Sequence, residues 1–213
     1  MSDLPRGEAA LTLHGIWDRT LLRQLAEINA QLLERLVQAA AADAVDNPLI
    51  GELRADWLQL TGERRIRLAD CPYLLIDAAF ASPGHWLRVA DSGVRDAATL
   101  CRPRNSISLL SPGLLRPALV LAWHLARSNP LLARVALGMD ERSAVLIAGC
   151  RLQDLEALAE IPPYWIQIRW EDQPGVWQQL LRASAAQSEQ LLRQLQLRGL
   201  QLLAAGLSPR VPG

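Results

Sequence analysis

Among the side chains that could do chemistry, Arg64, Arg65 and Arg67 stand closest together, in the run GERRIRLAD. A guanidinium donates through a rigid planar fork that matches phosphate oxygens and the edge of guanine, so these three on one helix suit a nucleic-acid contact. The alternative is a solvated helix face, which is how such charge patterning is usually read. The corresponding later run, RLQDLEALAE, carries Asp154, Glu156 and Glu160, which would repel a phosphate backbone. His14, His85 and His124 lie far apart, without HxxxH or HExxH spacing, so no metal site is expected. Ser82 and Ser111 each open a Ser-Pro-Gly, but neither has the flanking glycines of a nucleophile elbow. No Gly-rich phosphate loop occurs. With no nucleophile, base and stabiliser converging, no catalytic or cofactor-binding residue is expected, and the chain reads as a non-enzyme.

Composition narrows the setting. The three cysteines, Cys71, Cys101 and Cys150, show no CxxC spacing, which fits a reducing compartment. The N-terminus lacks a signal-peptide pattern and no apolar run reaches the length of a membrane span, so a cytoplasmic protein is expected, without a membrane partner. A net charge of +0 argues against a dominant nonspecific nucleic-acid binder. All 22 basic residues are arginine, as codon bias in a GC-rich genome would give. Half of the residues are hydrophobic and mean hydropathy is +0.08. Either packing is extensive or an apolar face is reserved for a partner. Among seven tryptophans, Trp165 and Trp170 are candidate interface anchors; filling the core is the competing role.

These residues depend on helices to place them. In Leu137–Trp170, Asp140 is a candidate N-cap, and Ala144, Val145, Ile147 and Ala148 form the apolar stripe of a first short helix. Gly149 should end it through a positive φ. Leu152, Leu155, Leu158 and Ala159 form one face of a second helix, which Pro162-Pro163 stops. The same order recurs in Arg54–Phe80. Aligning Leu68-Ala69-Asp70 with Leu158-Ala159-Glu160 (158 − 68) places Pro72 on Pro162, Ile76 on Ile166 and Phe80 on Trp170 without a gap. This suggests an internal duplication; Leu-rich periodicity is the competing explanation.

Elsewhere, Trp17 to about Ala42 is helical, with Asp18 or Thr20 as cap. A weaker helix covers Trp86–Leu100, and Arg102–Gly113 is a junction. A helix runs from Leu114 to Ala126 with Pro117 in its first turn, broken at Ser128-Asn129-Pro130. Val176–Ala205 reads as the longest helix. Only Leu74-Leu75-Ile76 and Trp165–Trp170 lean towards strand. The expected fold is all-α: two tandem helical units, 17–101 and 114–207, related by internal duplication and each with a helix-turn-helix-like pair.

With that organisation, the chain resembles the FlhD-like flagellar transcriptional activator family. Leu137-Gly138-Met139-Asp140-Glu141 is similar to the start of that family's Leu-Gly-hydrophobic-Asn-Glu helix, and Leu158-Ala159-Glu160 and the run to Trp170 to its continuation. Leu21-Leu22 and Glu27-Ile28-Asn29 resemble its N-terminal helix, and Leu60-Thr61 and Leu68-Ala69-Asp70 its second helix pair. The departures are two units where the family has one that dimerises, Pro48 where the second unit has Gly138, and Ile166 in place of a cysteine, so no intersubunit disulfide carries over. The resemblance implies an all-α transcriptional regulator subunit that associates with partner chains at flagellar-type or related promoters. The partner would be an FlhC-like, zinc-containing subunit or a second copy, with DNA met through the complex. The alternative is a helical interaction adaptor without DNA binding.

Overall fold

Leu21, Leu25, Ile28, Leu32, Leu33 and Leu36 recur every three or four residues, and this stripe lies buried along α1 (Arg19–Ala42). The computed structural model describes residues 19–42, 47–92, 112–160, 165–186 and 188–206. Three short helices follow: α2 (Pro48–Glu52), α3 (Arg54–Leu58) and α4 (Gly62–Ala69). Asn47 caps α2 by accepting from the Ile50 N–H at 3.3 Å, with Pro48 at the helix start, and Thr61 caps α4. β1 (Ile76–Asp77) and α5 (Pro83–Ser92) complete the first half. The second comprises α6 (Pro112–Ser128), α7 (Pro130–Leu137), α8 (Glu141–Gly149), α9 (Leu152–Ala159), β2 (Gln167–Ile168), α10 (Pro174–Ala185) and α11 (Glu189–Gly206). The fold is all-α, and the two β-leaning runs yield strands of only two residues each.

Several local expectations hold and several shift. Asp140 caps α8, accepting from the Arg142 N–H at 2.8 Å, and Leu155 and Leu158 are buried. Gly149 ends α8, but not through a positive φ: Cys150 caps it in an extended conformation, and Gly138, at φ 58°, is the left-handed cap of α7. α6 starts at Pro112, so Pro117 lies inside the helix rather than in its first turn. The long C-terminal helix is two, because Ala186 is extended and the Ser188 hydroxyl accepts from the Leu191 N–H to start α11. Val145 and Leu152, expected on buried faces, point outward. Thr20 sits inside α1. Trp17, Asp18, residues 102–111 and Pro162-Pro163 lie outside the described residues.

Several local features recur about 90 positions apart along the chain. α4 and α9 span Gly62–Ala69 and Leu152–Ala159, 90 positions apart. After β1 and β2 the spacing is 91 (173 − 82, and 170 − 79): the Ser82 N–H donates to the Ala79 carbonyl as Gln173 does to Trp170. Ala79 and Trp170 both have φ 53°. Pro83-Gly84 and Trp86 match Pro174-Gly175 and Trp177 at the same spacing. At this spacing Ala79, rather than Phe80, falls on Trp170. The antiparallel ladder, Ile76 opposite Ile168 and Asp77 opposite Gln167, is symmetric about its own centre at this spacing.

Across that ladder the halves exchange arms. α5 packs on α8 of the second half, and α10 packs on α3 and α4 of the first. The buried residues form one cluster running from Leu21 to Leu203. Polar ties cross it. Asn29 of α1 donates to the Tyr73 carbonyl at 2.9 Å and accepts from the Leu75 N–H at 2.9 Å. The buried Arg169 donates to the Leu74 carbonyl at 2.7 Å and to the Leu137 carbonyl, with the Asp77 carboxylate 4.0 Å away. A Cβ at Gly138 would sit 3.3 Å from that guanidinium.

Candidate partner-binding clefts

The helix-turn-helix-like elbows, α3–α4 and α8–α9, are where the arginine run and its acidic counterpart lie. Arg67 is consumed by the fold: its guanidinium donates to the Ser184 and Ala186 carbonyls at 3.3 and 3.2 Å, closing the end of α10. Arg64 donates to the Gln59 carbonyl of its own elbow at 3.2 Å and is half-buried, as is Arg65. The three arginines therefore share a helix but not a task. On α9, Arg151 holds Asp154 in a two-pronged pair at 2.9 and 3.0 Å, and this hydrogen bonding keeps the Asp154 carboxyl below the usual carboxylate range.

Each elbow forms a cleft with the arm received from the other half. In the first, Gln59, Leu60 and Arg64 face Leu181, Arg182 and Ser184 of α10 around about 150 Å³. In the second, Leu146, Gly149, Cys150 and Asp154 face Val89 and Ala90 of α5 around about 480 Å³, with Val145 on the rim. Val145 also borders a groove of about 470 Å³ between α7 and α8, opposite Leu131. Val145 is 70% exposed and Leu131 65%, with Val135 at 41%. These are large apolar side chains on one surface, a feature that marks interaction sites when it is contiguous.

The tryptophans sit further in. Trp165 is buried, stacked on His85 at 4.9 Å and edge-on to Trp86. Trp170 is half-buried and meets Tyr73 edge-to-face at 5.6 Å. Burial, with Arg88 adding to it, pushes the His85 imidazole down to about 4. Burial pushes the Cys71 thiol up to about 12, and burial with nearby Asp154 raises that of the half-exposed Cys150. Both thiols are poor nucleophiles at neutral pH. Among the described residues, no three potential metal ligands gather and no helix is long and apolar enough to cross a membrane.

The composition is compatible both with extensive packing and with an apolar face reserved for a partner, and it gives no place for such a face. Helical spacing alone places Val145 on the buried stripe, whereas the structure leaves it 70% exposed. The signal for pairing α5 with α10 was present in Pro83-Gly84-His85-Trp86 and Pro174-Gly175-Val176-Trp177. No family model, curated protein or solved structure matches the chain, so the clefts are read from their own chemistry.

Proposed function

We propose that this chain is a helical subunit of a regulatory complex and seats a partner protein on the apolar surface around Val145. The observation that carries this reading is the exposure of Val145 and Leu131 across one groove. Exposed apolar area of this kind gains most by being covered. The transcriptional setting rests on the resemblance to the FlhD-like family. Two observations favour protein contact over unaided DNA binding: the net charge is +0, and Arg67 is committed to α10. A second reading keeps a direct DNA contact at Arg64 and Arg65, which remain half-exposed on α4.

The test is co-expression with the host's FlhC-like subunit, followed by gel shifts over a salt series. Val145→Glu should abolish the complex and with it the shifted band. The Arg64→Ala/Arg65→Ala double variant should assemble and bind with an unchanged salt slope. A slope reduced by about one unit for each arginine removed would establish the direct contact. Normal assembly of the Val145→Glu chain would overturn the partner surface.

A further inference from the structure

We propose that α11 is a strap that lifts off as a unit while α1–α10 stay in place, a conformational device independent of the partner reading. The seam that docks it is thin. Of the seven leucines in α11, only Leu192 and Leu203 are buried, and Leu191 and Leu197 stay 43% and 46% exposed. Gln196 and Gly199 fill the two buried positions between those leucines, at the four-three-four spacing of a narrow helix seam. A polar residue in such a seam sets register at the expense of stability, and Gln196 does so by donating to the Asp70 carbonyl at 3.0 Å. Gly199 makes room for Tyr73, since a Cβ at 199 would overlap the Tyr73 hydroxyl. Glycine in mid-helix weakens the helix itself.

The junction with α10 is already built to turn. Arg67 holds the Ser184 and Ala186 carbonyls at the end of α10, and the Ser188 hydroxyl accepts from the Leu191 N–H at 3.3 Å at the start of α11. Neither cap needs α11 to be docked, so lifting it leaves both helix ends satisfied. What lies beneath gains from water. The Tyr73 hydroxyl is buried with no hydrogen-bond partner among the described residues. A Cβ on Gly138 would lie 3.2 Å from Leu203 and 3.3 Å from the Arg169 guanidinium, so Leu203 packs next to that buried cation. Hydration of the hydroxyl and the cation offsets part of the burial that release gives up. Docked, α11 withholds these two donors; lifted, it presents them to solvent.

The experiment is amide hydrogen exchange of the full chain, followed residue by residue by NMR over a series of urea concentrations below unfolding. A helix of this length is marginal in water once undocked, so release exposes its amides together. The amides from Leu192 to Leu203 should share one urea slope and one protection factor, lower than that of Leu25–Leu36 in α1 by about a hundredfold or more. Gly199→Ala places a methyl against Tyr73 and favours helix. It should speed α11 exchange about tenfold further, with α1 protection and far-ultraviolet circular dichroism unchanged. Equal protection in α11 and α1 would overturn the strap, because the helix would then open only with the whole fold. So would protection that falls steadily from Leu192 towards Gly206, which is fraying of a chain end rather than release of a unit. A Gly199→Ala chain in which α1 loses as much protection as α11 would overturn it as well.

Discussion

His85 shows how a single buried side chain sets a property of the whole chain. It packs against Trp86 and Trp165, and its Nε2 has no hydrogen-bond partner among the described residues. Its folded pKa, about 4, lies below the ordinary 6.5. Between those values the unfolded chain takes up a proton that the folded chain refuses, so unfolding gains as pH falls. Stability from this residue is therefore complete above about 6.5, declines towards about 4, and changes no further below it. Urea unfolding at stepped pH should show that decline in the wild type. In His85→Phe, which keeps the aromatic stack, this part of the decline should vanish. An unchanged pH profile would show that the imidazole is not the group responsible.

The elements show why some of the fold was legible and some was not. α1, the Asp140 cap and the burial of Leu155 and Leu158 follow from residues three or four apart, and the sequence displays them directly. The facing of α8 is harder to read, because Ala144 and Val145 are adjacent and sit about 100° apart on a helix, so only packing decides which is covered. The join between α10 and α11 is non-local: Arg67, 117 positions before Ser184, takes the carbonyls on which α10 ends. Arg67→Ala should cost about 1–3 kcal/mol in urea unfolding, as expected for hydrogen bonds from a charged donor. It should also speed hydrogen exchange in the last turn of α10. Arg67→Lys should recover only part of the loss, since an ammonium lacks the planar fork that reaches two carbonyls.

At the scale of the whole molecule, the exchanged arms decide what can fold alone. α5 packs on α8 of the second half, and α10 packs on α3 and α4 of the first as well as on its neighbour α11. A chain divided into 1–101 and 112–213, with the pieces co-expressed under different tags, should co-purify as a helical pair. Each piece alone should melt at a lower temperature and less cooperatively than the pair, because the contacts that cross between the pieces are missing. Two pieces as stable apart as together would contradict the exchange. The unequal clefts bear on stoichiometry as well. Two identical chains around a twofold axis would present two equal clefts and could link partners into a growing array. Here the two elbow clefts are unequal, about 150 against about 480 Å³, so on the partner reading proposed above the chain would be monovalent. A monovalent subunit ends an assembly rather than extending it, and its occupancy follows a simple hyperbola in partner concentration, with no cooperativity between sites.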